Sequence, residues 1–130
     1  MTLSSISKQA ISLAAINGFL VVALGAFGAH GLEEKISVEM LAVFNTGVQY
    51  HMFHVAGLVA VALLGLVRSQ SRRLVYSNWF FLAGIILFSG SLYLLALTSF
   101  TRLGMITPVG GVAFLVAWVL LFMEAIAVDE

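Results

Sequence analysis

Apolar runs of bilayer-crossing length, separated by short polar links, set the pattern of this chain. A helix needs roughly 20 mostly apolar residues to cross about 30 Å of hydrocarbon. Residues 10–29 form the first such run, 20 residues interrupted only by Ser12 and Asn17. A cleaved leader has an apolar region of about 7–15 residues, so this run reads as a retained span. The third run covers residues 76–100 and opens near the aromatic string "NWFF", which fits a belt at the membrane interface. The fourth begins at "ITPVGG" and covers residues 108–126. There Thr107 is expected as an N-cap and Pro108 as the first helical residue, where a missing N–H costs nothing.

The second run is the short one. Residues 55–67 give 13 uninterrupted apolar positions, about 20 Å of helix and too little to cross. Adding the preceding "QYHMFH" (49–54) makes 19 residues, or about 28 Å. These six residues are therefore expected to form the outer turns of span two, residues 49–67, with His54 at or just inside the interface. Ahead of them, Ile36, Met40, Phe44 and Val48 recur every four residues, with Leu41 beside Met40. Ser37 can cap and Glu39 stands where the helix dipole favours an anion. This pattern predicts a separate, short amphipathic helix over about residues 37–47, lying on the membrane surface.

Composition fixes the class. The chain is 62% hydrophobic and 9% charged, against about 25% charged in a soluble domain. The expected fold class is all-α: a single integral membrane domain over residues 1–130, built as a four-helix bundle in contact with lipid. Net charge is zero, so no basic face points to a nucleic-acid partner. There is no cysteine, which excludes disulfides, thiolate nucleophiles and thiolate metal ligands. Lys8, Arg68, Arg72 and Arg73 fall on one side of the four spans, and Lys35 and Arg102 on the other. The excess of basic residues marks the cytoplasmic side, so both termini are expected there.

Chain direction then gathers His30, Gln49, His51, His54, Arg102 and Thr107 on the non-cytoplasmic side. A second polar set lies near mid-membrane. Asn17 sits near the centre of span one, and Ser89 and Ser91 flank Gly90 in span three. An unpaired amide in hydrocarbon costs several kcal/mol, so Asn17 is expected to face the bundle and bond Ser89 or Ser91. It shares a stripe with Ala10, Ala14, Gly18, Val21 and Gly25, small residues that let helices approach closely. Gly90 is expected to do the same in span three. Glu124 is the one acid inside an apolar run. Its place near a helix end favours a salt bridge or snorkelling over a proton relay.

Four strings occur in order: "LGAFGAHGL" (24–32), "FNTGVQYHMFH" (44–54), "LFSGSLYLLAL" (87–97) and "ITPVGGVAFLVAW" (106–118). Together they resemble the small four-span membrane proteins catalogued as domain of unknown function 423, a family that includes bacterial inner-membrane proteins and the eukaryotic transmembrane protein 256. The resemblance covers nearly the whole chain. It implies a four-helix arrangement in the inner membrane and brings no activity, cofactor or catalytic residue. The family pattern more often reads Tyr-Gln-x-x-His where this chain has Tyr50, His51 and His54, which weakens a reading with both histidines as metal ligands.

The histidines carry the sharper chemistry. His51 and His54 lie three apart on a helix, and His30 joins them on the same side of the membrane. Three imidazoles would suit zinc or copper, and a pair could hold haem. The plainer reading has His30 capping span one and His54 bonding a carbonyl or hydroxyl near residues 98–107. Gly25, Gly28 and Gly31 resemble a phosphate-binding loop, but they close a helix instead of opening one. Close packing and a left-handed chain exit are the expected roles. No Ser-His-acid arrangement is legible, so enzyme activity is not expected. Three function classes follow, in order: a structural or accessory membrane component, self-associating or bound to a larger complex; a metal- or haem-binding protein using His30, His51 and His54; and a small oligomeric channel or carrier.

Overall fold

A computed structural model describes residues 2–128, and every regular element among them is helical. The helices are α1 (Ser5–His30), α2 (Val38–Leu64), α3 (Arg72–Gly84), α4 (Gly90–Thr98) and α5 (Thr107–Ala125). A π-helical segment, Ile85–Ser89, joins α3 to α4, and a 3₁₀ turn, Thr101–Met105, precedes α5. Counting α3 through α4 as one rod, four rods are long and apolar enough to cross a membrane.

The first three helices start at serines. Ser4, Ser37 and Ser71 cap α1, α2 and α3 by accepting the backbone N–H three residues on, satisfying a donor that has no intrahelical partner. Ser99 ends α4 in the left-handed region (φ 56°). Thr107 does not cap α5. The backbone runs on in right-handed helical geometry through Ile106, so no extended cap residue exists, and the Thr107 hydroxyl bonds Ser91 Oγ at 2.6 Å instead.

α2 lies between its neighbours, with α1 packed along one side and α3, the π segment and α4 along another. α5 packs mainly on α3, and α1 makes no extended contact with α4 or α5. The larger core cluster joins Ile6, Ala10 and Ala14 of α1 to Leu58 and Val61 of α2, Phe81 of α3 and Phe114 and Ala117 of α5. Ser4 and Ser7 donate to the carbonyls of Gly65 and Ala62, both at 2.7 Å. Ser77 donates to Ala117 O at 2.9 Å. These bonds pin the helices where the hydrophobic effect is weak between apolar rods and lipid.

The separate surface helix over residues 37–47 is not present. Those residues are the first turns of α2, which runs unbroken to Leu64. The buried stripe Phe44, Gly47, His51, His54, Leu58 and Val61 continues at three-to-four spacing straight through the supposed junction. Nothing in 44–54 breaks a helix, and Gly47 is retained because a Cβ there would lie 2.9 Å from the Tyr93 ring. Span two therefore begins eleven residues earlier than residue 49, at Val38.

Two glycine roles also differ. No glycine has positive φ among the described residues. Gly31 leaves α1 at φ −96°, its N–H bonding Phe27 O, so the chain exit is right-handed. Gly90 meets nothing closer than 3.9 Å and is not a close-packing point. Gly84 and Gly110 are, the first against the Phe114 ring and the second against the backbone of residues 87 and 88. Of the α1 stripe, Ala14 is buried, while a Cβ added at Gly18 or Gly25 would meet only Val55 or Val48, at ordinary contact distance.

Candidate functional site

The continuous α2 moves the "QYHMFH" hexad. Its 27 residues span about 40 Å, and His51 is the central residue. Glu39 and Arg68 bracket the span, and His54 falls midway between them. The hexad is thus at the middle of the rod, not at an outer turn. The cause is the missing break near residue 48.

His51 and Asn17, each near the centre of its rod, meet there. His51 Nε2 lies 3.0 Å from Asn17 Oδ1, and Nδ1 lies 2.9 Å from the Tyr93 hydroxyl. Asn17 Nδ2 donates to Leu13 O at 2.8 Å, which fixes Oδ1 as the acceptor toward His51. The imidazole therefore carries its proton on Nε2, and Tyr93 donates to Nδ1. The result is a directed chain, Tyr93 to His51 to Asn17 to Leu13, in which each donor finds one acceptor. It crosses from α4 through α2 to α1, and it lies at the floor of a groove of about 500 Å³ walled by Leu20, Leu24, Ile86 and Leu94.

Asn17 accordingly bonds His51 and not Ser89 or Ser91. Ser91 donates to Phe88 O or pairs with Thr107, and Ser89 Oγ is wholly buried without a partner among the described residues. The serines ride on the π segment and the turn after it. A π segment within a helix frequently marks a functional region, and this one has no clear periodic signal in the sequence.

His54 is 3% exposed and sits in an aromatic nest. Its ring stacks on Phe114, centroids 3.4 Å apart and planes 5° apart, with Trp118, Phe81, Phe53 and Tyr50 around it. Nδ1 approaches Tyr50 O, one turn back on its own helix, at 2.6 Å. No hydroxyl from residues 98–107 reaches it, because α5 presents Phe114 and Trp118 at that level.

The three histidines do not converge. His30 is exposed at the end of α1, thirteen residues on from Asn17 and so about 20 Å along the helix, while His51 and His54 are engaged separately inside the bundle. Among the described residues no three His, Asp or Glu side chains gather as a metal site would need. Nor do the polar side chains among the described residues gather in one cluster at the His30 end of the rods. Gln49 and Arg102 are exposed and Thr107 is tied to Ser91. Glu124 is 4% exposed, with Arg73 Nη1 at 3.6 Å and Arg68 Nη1 at 4.0 Å. Arg68 also donates to Ala127 O. This is the salt-bridge arrangement, at the opposite end of the rods from His30.

Tyr93, Phe114 and Trp118 were not singled out by the sequence reading. The signal that could have found them is the stripe Gly47-His51-His54-Leu58: glycine one turn before a histidine on a buried face leaves room for a large ring from a neighbouring helix.

These features define a small four-span integral membrane protein with two histidines built into the centre of its bundle. The family described as "Protein of unknown function (DUF423)" matches residues 24–111, and the chain belongs to that family. It is similar to the UPF0382 membrane protein YwdK of Bacillus subtilis (strain 168), 51% identical over 119 residues covering 92% of this chain and 97% of the relative. It is similar also to the UPF0382 inner membrane protein YgdD of Escherichia coli (strain K12), 42% identical over 124 residues covering 92% and 91%. A UPF0382 membrane protein of Haemophilus influenzae is 46% identical over 109 residues, covering 84% of this chain and 86% of that one. No solved structure matches the chain at a significant level.

Proposed function

We propose that this chain is an accessory component of the bacterial inner membrane that works by self-association and not by catalysis. The observation that carries the reading is Gln49. Its side chain is exposed, two residues or about 3 Å from the middle of α2, and makes no hydrogen bond among the described residues. Asn45, one turn away, is exposed in the same state. A carboxamide facing hydrocarbon costs several kcal/mol unless a neighbour pairs with it.

The two amides lie on a seam. Val38, Ala42, Asn45, Gln49, Met52, Ala56 and Leu63 are all exposed, and half-buried Val59 completes the alternating four-three spacing. That repeat is what two helices crossing at about 20° present to each other. A carboxamide holds both donor and acceptor, so it is its own complement across a two-fold axis. This argues for a second copy as the occupant. The cluster of Lys8, Arg68, Arg72 and Arg73 at one end supports cytoplasmic termini, and the printed name of the Escherichia coli relative supports the inner membrane.

Gln49→Leu is expected to weaken dimerisation roughly tenfold, since interhelical amide bonds contribute about 1–2 kcal/mol. Subunit counting by single-molecule photobleaching in bilayers of varied protein density measures this. Val22→Leu, on an exposed face of α1, should leave association unchanged. A wild-type chain that stays monomeric at every density, or a Gln49→Leu chain that dimerises as the wild type does, would overturn the reading.

A further inference from the structure

We propose that the pocket beside His54 binds the reduced headgroup of a membrane-soluble quinone, that is, a hydroquinone. The reading goes beyond self-association and does not depend on it. The cavity holds about 470 Å³ and opens between α2 and α5, walled by Tyr50, Phe53, Phe88, Phe114 and Trp118 around the imidazole. That volume lies in the usual range of small-molecule sites, about 300–1,000 Å³. Its rim residues Phe53, Val112 and Leu115 are exposed, so entry is from the lipid.

One atom sets the ligand's chemistry. Tyr50 O can only accept, so the bond at 2.6 Å places the His54 proton on Nδ1. A neutral ring then offers a lone pair at Nε2, and no group among the described residues donates to it. The site therefore calls for an O–H or N–H donor. Acyl chains carry none. Phospholipid headgroups stay about 15 Å from the bilayer centre, where His54 lies. A hydroquinone has a flat ring for the aromatic walls, O–H groups for Nε2, and an apolar tail that keeps it in the hydrocarbon. Its oxidised quinone has carbonyl acceptors only and cannot make the bond.

The chain has two tryptophans, so Trp79→Phe leaves Trp118 in the pocket wall as the sole reporter. In nanodiscs of phosphatidylethanolamine and phosphatidylglycerol, 2,3-dimethyl-1,4-naphthohydroquinone should quench Trp118 emission saturably. It should bind about tenfold more tightly than the corresponding quinone, the worth of one hydrogen bond. His54→Phe, which keeps an aromatic ring against Phe114, should abolish that preference and leave quinone binding unchanged. Quenching that rises without saturation, equal affinity for the two forms, or a preference that survives His54→Phe would overturn the proposal. Histidine ¹⁵N NMR on the unmutated protein reads the same bond directly: the His54 Nε2 resonance should move with the hydroquinone and stay with the quinone, and an unmoved resonance in both would also overturn it.

Discussion

Gly110→Ala is expected to destabilise the bundle by about 3 kcal/mol or more, the upper part of the range for overpacking. A Cβ at this position would lie 2.3 Å from Phe88 N and 2.7 Å from both Leu87 C and Phe88 Cα. All three are backbone atoms of the π segment. A side chain can turn aside, but this backbone is held by its own helical bonds, so α5 and the π segment must separate. Neighbouring Gly111 is an internal control. Its added Cβ would meet only the Phe88 ring, at 3.8 Å, and Gly111→Ala should stay within about 0.5 kcal/mol of wild type. Denaturant titration of the purified protein in mixed micelles, followed by tryptophan fluorescence, compares the two. Equal stability of both variants would contradict the close approach.

His51→Leu is expected to cost about 2–4 kcal/mol. It strands two groups at mid-membrane, the Tyr93 hydroxyl and Asn17 Oδ1, which now bond the two ring nitrogens. An unsatisfied buried polar group costs about 1–3 kcal/mol. The same principle gives a sharper second arm. Replacing all three members with apolar residues, as Asn17→Leu, His51→Leu and Tyr93→Phe together, removes the stranded groups and should recover much of the loss. A triple variant less stable than His51→Leu by the sum of its parts would mean that the three side chains act through packing alone and not as one hydrogen-bonded chain.

Four rods, the Ser37 cap and the inward face of Asn17 could be read from the residues. The length of an apolar run decides whether a helix can cross, and a lone amide must turn inward. What stayed hidden depended on neighbours in space. The four-residue recurrence of Ile36, Met40, Phe44 and Val48, opened by Ser37 and Glu39, makes residues 37–47 look like a surface helix, because an amphipathic face is the same pattern whether its polar side meets water or a second subunit. Once that helix was separated, span two had to begin at residue 49, and both histidines were carried out to the interface. The stripe through Phe44, His51 and Leu58 argued against the division, yet histidine does not register as a core residue on a hydropathy scale. Asn17 was matched to Ser89 and Ser91 by depth. The π segment changes the angular register of α4 relative to α3, so faces counted at 3.6 residues per turn no longer apply beyond residue 85. Glu124 and its arginines were legible in outline, since an acid near a helix end has few other partners.

The placement of residues 49–54 at the bilayer centre underlies both the amide seam and the His54 pocket, and side-specific thiol labelling tests it most directly. The chain holds no cysteine, so each introduced thiol reports alone. A membrane-impermeant maleimide reacts only with thiolate, which forms in water and not in hydrocarbon. Glu34→Cys, in the exposed link after α1, should label in intact spheroplasts. Ser69→Cys, in the exposed link before α3, should label only once they are opened. Met52→Cys, 59% exposed on the outer face of α2, should resist the reagent from both sides until the protein is denatured in detergent. Labelling of Met52→Cys in intact spheroplasts as fast as Glu34→Cys would put the hexad at the water surface and contradict the account.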